Sequence, residues 1–443
     1  MPPILGPKPR LFTGHLRDFR VGRLEFFTQC ARTYGDVVAL RIVNKPIVMF
    51  NRPDLIEQVL VTHASKFVKH FGLRVYKPVL GNGLVTSEGD FWRRQRKLAA
   101  PAFQAARIAE YASDMVSATA RMLDEWSDSE IRDVHADMMR LTLHIACTTL
   151  FGVQNPPDAD VVGEALYEGM VVLGRRIRRI FPTPDWVPTR DNRQLRRSLD
   201  TLGRIVNDIL QNQHESHGEQ GSHLLARLLA ARDEDGSRMS DRQLFDEALT
   251  LLLAGHETTA LALSYSLYLL AEHPQTQEKL QAEVGDVLAG RLPSYADLPR
   301  LEYTRRVVTE ALRLYPPADV LGREALEDCT IEGIPIPRGT TVFMSQWVMH
   351  RDPRYFADPL RFYPDRWTPD FERELPRFAY FPFGGGPRYC IGQTFATTEA
   401  ILLLAMICQR FVFAPMPGFE LSLWPNITLR PRDGIPLMVT RRP

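Results

Sequence analysis

The stretch that most restricts the fold of this chain runs from residue 248 to 271 and reads ALTLLLAGHETTALALSYSLYLLA. It is long enough to cross a lipid bilayer. However, His256 and Glu257 lie near its centre, where an acidic side chain inside a membrane would cost about 2.5–3.5 kcal/mol. A helix that is apolar on all sides is instead typical of the interior of a large protein. We therefore predict a long buried helix and no membrane span.

Helical periodicity dominates the rest of the sequence and predicts a mainly α protein with a small β region. We expect helices at residues 24–34, 53–61, 89–99, 107–127, 131–150, 241–273, 274–288, 301–314 and 392–411. Strand patterns predict one hairpin from 37–43 and 46–50, a second from 329–336 and 340–343, and a last strand region at 420–429. Residues 181–198 and 218–222 are predicted loops. We expect a single domain over residues 1–443, with its β-rich part at about 35–50 plus 329–343.

Charge and cysteine content exclude several classes of protein. A net charge of +1 over 443 residues offers no basic field for nucleic acid. The five cysteines are widely spaced, without a Cys-x-x-Cys pair, which argues against disulfides and zinc and is typical of a reducing compartment. The N-terminus lacks the apolar stretch of a signal peptide, so we expect a cytoplasmic protein. A basic run, Arg175, Arg176, Arg178 and Arg179, is interpreted as a solvated helix face rather than a lid touching a membrane or an acidic substrate.

Cys390 lies in an unusual loop, FPFGGGPRYCIG, at residues 381–392. An isolated cysteine is most often a small buried apolar residue. Here Gly384 and Gly386 permit the backbone to approach a bulky flat group, and Arg388 adds a positive charge. A helix predicted to begin just after Cys390 would favour the thiolate through its N-terminal amides. With no second cysteine and no histidine beside it in the sequence, such a thiolate suits a metal ligand.

This loop resembles the heme-binding loop of the cytochrome P450 family, Phe-x-x-Gly-x-Arg-x-Cys-x-Gly. Its fixed positions are filled by Phe383, Gly386, Arg388, Cys390 and Gly392. The resemblance implies a P450 fold in which heme b lies between the long distal helix and this loop, with Cys390 as the thiolate ligand of the iron. It also implies that Phe383 covers the proximal side and that Arg388 pairs with a heme propionate.

Ala254 to Thr258, the polar interruption of the long helix, match the distal-helix motif of the same family, small-Gly-x-acid-Thr. The resemblance implies that Ala254 borders the cofactor, that Thr258 orients oxygen, and that Glu257 relays protons. Taken alone, Thr258 is better explained as a buried threonine whose hydroxyl bonds the carbonyl four residues before it. His256 is interpreted as a hydrogen-bonded interior histidine.

Two further groups of residues match the family. One is its buried ion triad, which stabilises the core beneath the heme loop and does not tolerate the loss of a member. The other group binds the propionates, and two of its members, Trp92 and Arg96, are four residues apart on one helix face. The triad is Glu310, Arg313 and Arg366, and the propionate group is Trp92, Arg96 and Arg323.

The resemblance implies a heme-thiolate monooxygenase that inserts one oxygen atom from O2 into an apolar small molecule. Local motifs resemble fatty-acid-hydroxylating members, and a terpenoid or similar substrate stays open. The predicted substrate-lining residues are Phe71, Leu84, Ala254, Thr259, Ala318, Val320, Leu321 and Ile427. No other redox domain is fused to the chain, so electrons from NAD(P)H would arrive through a ferredoxin or flavodoxin with its reductase. The ferredoxin or flavodoxin would dock on a proximal face that bears Arg93, Arg94 and Lys97. We expect the protein to be a monomer.

Two alternatives to the monooxygenase stay open at this point. A heme-thiolate peroxygenase would run on hydrogen peroxide, but it would not need the acid and hydroxyl pair of Glu257 and Thr258. A non-enzymatic heme sensor or carrier would keep the thiolate loop, although a dedicated proton relay would serve no purpose in it.

Overall fold

A computed structural model describes residues 4–153, 159–177, 184, 186–216, 223–230, 232 and 236–442. Its helices are α1 (Leu16–Tyr34), α2 (Pro53–Glu57), α3 (Phe71–Arg74), α4 (Lys77–Leu80), α5 (Gly89–Ala99), α6 (Ala105–Asp124), α7 (Val134–Phe151), α8 (Ala159–Ile177), α9 (Arg190–Ser216), α10 (Leu224–Ala230), α11 (Asp241–Glu272), α12 (Pro274–Leu288), α13 (Glu302–Leu314), α14 (Gln346–Met349), α15 (Pro369–Glu374) and α16 (Gln393–Arg410). Its strands are β1 (Val37–Ile42), β2 (Lys45–Phe50), β3 (Phe67–Lys69), β4 (Glu130–Asp133), β5 (Leu321–Ala325), β6 (Cys329–Ile331), β7 (Ile334–Ile336), β8 (Thr341–Met344), β9 (Phe411–Pro415), β10 (Leu423–Pro425), β11 (Leu429–Pro431) and β12 (Pro436–Arg441). The fold is therefore mainly α with small sheets, as predicted.

Helix α11 is the buried helix predicted from the apolar segment. A capping box begins it: the Ser240 hydroxyl accepts from the Gln243 amide, and the Gln243 side chain accepts from the Ser240 amide. Helices α7, α13 and α16 pack around it, and most of its residues are buried. Ala254 and Gly255 are exceptions, because they face an internal cavity. Among the described residues, no helix is long and apolar enough to cross a membrane.

The largest sheet has the order β1-β2-β8-β5-β3. Strands β1 and β2 form the predicted hairpin, with Val37 opposite Phe50. Strand β8 runs parallel to β2, and β5 pairs antiparallel with both β8 and β3. The smaller sheets are β4-β12-β9, β6-β7 and β10-β11. The sheet order places β5, which carries Arg323, beside the cavity described below.

Several local predictions were wrong. The second predicted hairpin does not form: β6 and β7 make their own hairpin around Glu332 and Gly333, both in the left-handed region at φ 47° and 78°. The helix predicted at 131–150 begins later, because Glu130–Asp133 is a strand paired with β12. Asp133 then caps α7, accepting from the His135 amide.

The predicted loop at 181–198 ends earlier than expected, since α9 begins at Arg190. Helix α1 begins at Leu16 rather than at residue 24, and helices α8 and α10 were not predicted. The strand region predicted at 420–429 is a hairpin of β10 and β11. In the basic run, Arg175 pairs with Asp191 at 3.0 Å. The predicted loop at 218–222 and Arg178 and Arg179 lie outside the described residues.

Candidate active site

A cavity of about 300 Å3, here called the inner cavity, lies between α11 and the loop that precedes α16. Cys390 lines it from the loop, and Ala254, Gly255 and Thr258 line it from the middle of α11. Apolar side chains make up most of the remaining wall, including Leu150, Leu251, Ala262 and Leu312. The two elements singled out from the sequence therefore meet across one cavity.

The cysteine loop has the backbone that its glycines require. Gly384 and Gly386 lie in the left-handed region at φ 75° and 66°. A Cβ on Gly386 would lie 1.8 Å from the carbonyl oxygen of Leu60, so no larger residue fits there. The amide of Cys390 donates to the carbonyl of Phe383 at 3.0 Å and closes the loop. The thiol is thereby presented to the inner cavity.

The sulfur of Cys390 accepts a hydrogen bond from the Gly392 amide, at the start of α16. Burial raises the pKa of the thiol, and the Gly392 amide and the Arg96 charge offset this only in part. The amide at the helix start thus lowers the pKa of the thiol as expected, but burial outweighs it and the net shift is upward. A metal cation deprotonates a coordinating thiol, so coordination would stabilise a thiolate here against the effect of burial. Within the described residues, the structure offers no cluster of acidic, histidine or cysteine side chains as a competing metal site.

Positive side chains collect beside the inner cavity. Arg323 on β5 donates to the carbonyl of Gly322 at 3.0 Å, and it has no carboxylate within ion-pair distance among the described residues. Burial lowers the pKa of Arg323, and it also lowers that of Arg96. A buried guanidinium without an acidic partner is unfavourable unless an anion completes the site. Arg323 therefore fits a propionate group of a heme, and the half-buried Arg96 adds a second positive charge near the Cys390 thiol.

Arg388 makes contacts that the sequence did not predict. Its guanidinium pairs with Glu88, donates to the carbonyl of Ser87 at 2.9 Å, and lies 3.7 Å from the ring centroid of Trp92. Burial is the main cause that lowers the pKa of Arg388 to about 10. Nearby, the buried ammonium of Lys69 donates to the carbonyl of Leu84 at 2.9 Å, and burial lowers its pKa well below the usual range.

Lys69, Arg323 and Arg388 all have the Glu88 carboxylate as a neighbour, Lys69 also lies near Glu247, and Arg96 lies near the Cys390 thiol, so four cations face two carboxylates. This excess of positive charge matches a dianionic edge, so the residues present fit a heme. Sequence reasoning missed Lys69 and Glu88, because neither belongs to a spacing pattern and both act only through contacts across the fold.

The distal residues lie on different faces of α11. The Thr258 hydroxyl lines the inner cavity and donates to the carbonyl of Ala254 at 2.7 Å. The Glu257 carboxylate points away from the cavity and pairs with Arg430 at 2.6 Å. His256 is buried, and its Nδ1 donates to the carbonyl of Leu252 at 2.9 Å. Thr258 therefore combines the local bond of a helical threonine with a position facing the cavity.

The ion triad is fully formed in the core. Arg313 binds the two oxygens of Glu310 through Nε and Nη2, at 2.8 Å each. Arg366 Nε donates to Glu310 at 3.0 Å, and so does the indole of Trp367 at 2.9 Å. Arg313 also donates to the carbonyl of His350 at 2.7 Å.

The triad reaches the cysteine loop through His350. The ring Nε2 of His350 accepts from the amide of Phe381, the first residue of the loop, at 3.0 Å. A chain of hydrogen bonds therefore joins the carboxylate of Glu310 to the start of the segment that presents Cys390.

The predicted substrate-lining residues divide between two cavities. Thr259, Ala318 and Leu321 line the inner cavity, as does Ala254. Phe71, Val320 and Ile427 line a second space of about 180 Å3, here called the outer cavity. Leu84 is buried, and its amide donates to Glu247 at 3.0 Å. Asp319, between the two sets, points to neither substrate space and pairs with Arg23 at 2.6 Å.

Comparison with known proteins agrees with this geometry. The family model for cytochrome P450 matches residues 2–432. The chain is 40% identical over 400 residues to cyclooctatin synthase of Streptomyces melanosporofaciens, covering 89% of this chain and 87% of that protein. It is 34% identical over 404 residues to pentalenene oxygenase of Streptomyces avermitilis, covering 90% and 88%. The crystal structure of the cytochrome P450DA heme domain superposes with a TM-score of 0.90 at 29% identity, covering 100% of this chain and 98% of that one.

Proposed function

The chain belongs to the cytochrome P450 family, and from that premise we propose that its substrate is an apolar terpenoid. The protein is an oxidoreductase, a monooxygenase that inserts one oxygen atom from O2 into a small molecule with electrons from a separate partner. Of the two substrate classes that the sequence left open, the relatives favour the terpenoid, since a terpenoid oxygenase and a terpenoid-modifying synthase are among them.

The observation that carries this proposal is the lining of the inner cavity. Its charged lining residues are Arg323 and Arg388, both of which we assign to the propionates. Apart from glycines, the thiol of Cys390 and three threonine hydroxyls, of which Thr258 and Thr259 lie on α11, the remaining wall is aliphatic or aromatic. A hydrocarbon skeleton is stable in such surroundings. A carboxylate headgroup would lose its hydration there and would gain no cation to pair with, since both arginines are assigned to the propionates. The cavity therefore supports a substrate whose reacting end is purely apolar.

We assign the cofactor residues as follows. Cys390 would ligate the iron of heme b, and Phe383, Gly384, Gly386 and Gly392 belong to the loop that would hold it. Trp92, Arg96, Arg323 and Arg388 hold the propionate edge, and Ala254 leaves room on the distal side. When bound, the heme supplies oxygen activation, for which a thiolate ligand favours O–O bond cleavage. The protein excludes water from the apolar cavity, fixes the flat group through its glycine loop, and moves protons through Thr258 and Glu257.

The electron partner is the remaining part of the proposal. Electrons from NAD(P)H would pass from a reductase to a ferredoxin or flavodoxin. That carrier would dock on the proximal face near Arg93, Arg94 and Lys97. Arg93 is largely exposed, at 66% of its side chain, so part of this surface is accessible to an acidic partner. We further propose a cytoplasmic monomer with one domain over residues 1–443. The five free cysteines agree with a reducing compartment.

The substrate proposal is tested with a panel of compounds and a generic ferredoxin system supplied with NADH. Terpene hydrocarbons and long-chain fatty acids are incubated separately under 18O2, and products are analysed by mass spectrometry. We expect a terpenoid product that carries one 18O atom, with little oxidation of the fatty acids. Oxidation confined to the fatty acids would overturn the terpenoid assignment and would leave the monooxygenase activity in place.

Replacing Thr258 with alanine should uncouple electron consumption from product formation. Without its hydroxyl in the inner cavity, protons are delivered less selectively, and reducing equivalents are lost as hydrogen peroxide. We expect product formed per NADH consumed to fall about tenfold, which is less than the roughly hundredfold that one proton-transfer group contributes to a rate at the low end. Thr149→Ala is the matched control, because the Thr149 hydroxyl also bonds back to a helical carbonyl, that of Ile145, at 2.7 Å, but lies on α7. Equal coupling in both variants would remove Thr258 from the relay.

A further inference from the structure

The last hairpin of the chain, Leu423–Pro431, is fastened to the core beside the active site. We call it the C-terminal hairpin. The hydroxyl of Tyr265 on α11 donates to the carbonyl of Leu429 at 2.8 Å. The amide of Leu429 donates to the carbonyl of Pro317 at 2.8 Å, next to Ala318 of the inner cavity. The hairpin is therefore fixed both to the helix that carries Glu257 and to a wall of the substrate space.

Two residues of this hairpin hold the Glu257 carboxylate. Its Oε1 accepts from Arg430 Nε at 2.6 Å and from the hydroxyl of Thr428. The two ion-pair partners are 3% and 11% exposed, so the pair is shielded from water. Burial alone would raise the pKa of Glu257, but the bonds from Arg430 and Thr428 outweigh it and the net shift is downward. The neighbouring His256 is buried and His135 is half-buried, and burial lowers the pKa of both.

The far side of Arg430 faces helix α8. Its guanidinium carbon lies 5.6 Å from the ring centroid of Tyr167, a distance at which a cation attracts an aromatic face. Tyr167 in turn packs edge-on against Trp424, with the centroids 5.9 Å apart. Trp424 and Arg430 are opposite one another in the hairpin register, so they share one face of it. Arg430 thus bridges the buried acid on α11 and a ring on α8.

The turn of the same hairpin borders the outer cavity. Asn426 and Ile427 line that cavity, and so does Gly174 of α8. A Cβ on Gly174 would lie 2.8 Å from the Asn426 side-chain oxygen, so helix and turn are in close contact. The guanidinium of Arg23 also donates to the Asn426 carbonyl at 3.1 Å. A change in the position of the turn would therefore be transmitted along a short, braced hairpin to Arg430.

We propose that Arg430, assisted by Thr428, is a positioning residue that fixes the Glu257 carboxylate, and that the C-terminal hairpin thereby couples the wall of the substrate cavities to proton delivery. This inference rests on the proposed relay role of Glu257. A buried carboxylate with one strong partner keeps a single orientation, and it loses that orientation when the partner is removed. Arg430 touches neither the reacting atoms nor the inner cavity, so its effect passes through Glu257.

The test compares Arg430→Gln with Arg430→Lys, Glu257→Gln, the double variant Glu257→Gln/Arg430→Gln, and Arg432→Gln. Arg432 is the matched control, since it is an exposed arginine next to the hairpin. We expect Arg430→Gln to lower kcat and product per NADH about tenfold, like Glu257→Gln, with KM changed by less than about twofold. Arg430→Lys keeps a cation at this position and should recover most of the loss. Arg432→Gln should behave as the unmodified protein does.

A second readout does not depend on turnover. In urea unfolding, the midpoint of Arg430→Gln should fall, and the double variant should regain most of that shift because the unpaired carboxylate is gone. No recovery in the double variant would overturn the pairing, even if Arg430→Gln proved too unstable to assay. Normal kcat and coupling in a folded Arg430→Gln, with a loss in Glu257→Gln, would overturn the inference and leave the relay intact. Normal coupling in Glu257→Gln would instead remove the relay role itself.

Discussion

Cys390→Ser should give a folded protein that has lost its monooxygenase activity by at least about a thousandfold. The thiol is exposed to the inner cavity and accepts one hydrogen bond, from Gly392, so it contributes little to the packing of the core. A hydroxyl replaces the size of the thiol, but it does not donate electron density to iron as a thiolate does. The loss should therefore appear in turnover and in the spectrum of the bound heme, with the unfolding midpoint nearly unchanged.

The control for this variant is Cys329→Ser. Cys329 is half-buried on β6, in the small hairpin with β7, and it lines neither the inner nor the outer cavity. Its replacement should leave turnover and spectrum as they were. A Cys390→Ser protein that oxidised substrate at more than a few per cent of the original rate would contradict the assignment of Cys390 as the ligand.

Glu310→Gln should have the largest effect on stability. The carboxylate accepts from Arg313, Arg366 and the indole of Trp367, and Glu310 and Arg313 are fully buried. An amide offers only one acceptor oxygen and leaves two buried cations uncompensated. Breaking a buried pair in this way costs about 3–5 kcal/mol, a large share of the roughly 5–15 kcal/mol by which a folded protein is stable. Because His350 connects the triad to Phe381, the substitution would also loosen the start of the cysteine loop, and heme should be retained poorly.

Glu302→Gln provides the comparison within the same helix. Glu302 pairs with Arg306 at the surface, where 51% of the Glu302 side chain is exposed. Surface pairs of this kind contribute less than about 1 kcal/mol, so the free energy of unfolding in urea should change little. Similar unfolding midpoints for Glu310→Gln and Glu302→Gln would show that the triad does not hold the core together.

The elements that the sequence predicted best are those with local signals. The helices at Gly89–Ala99 and Pro274–Leu288 have the predicted ends, and the second of them begins at a proline, which favours the first helical position. The predictions failed where a distant strand decided the outcome. Glu130–Asp133 has no strand pattern of its own and becomes a strand because β12, about 300 residues later, pairs with it. Likewise, β8 pairs with β2 rather than turning back on its neighbour.

The same distinction between local motifs and distant contacts applies to the residues of the active site. The cysteine loop and the Ala254 to Thr258 segment are short motifs, and the structure brings both to one cavity. Glu88 and Arg430 escaped prediction because their partners, Arg388 and Glu257, lie 300 and 173 positions away in the chain. The substrate residues were predicted as one set, yet they line two cavities, with the exception of Leu84, which lines neither. Asp319, between the two groups, pairs with Arg23 on α1. Such contacts depend on packing and leave no spacing in the sequence.

The central claim, that this chain holds heme through the thiolate of Cys390, is tested most directly by the absorption spectrum of the purified, dithionite-reduced protein under carbon monoxide. Thiolate ligation shifts the Soret band of the complex strongly to the red of its position in histidine-ligated heme proteins. We predict this red-shifted band in the unmodified protein and its loss in Cys390→Ser. A Soret band at the position typical of histidine ligation, in well-folded and heme-loaded protein, would contradict the account.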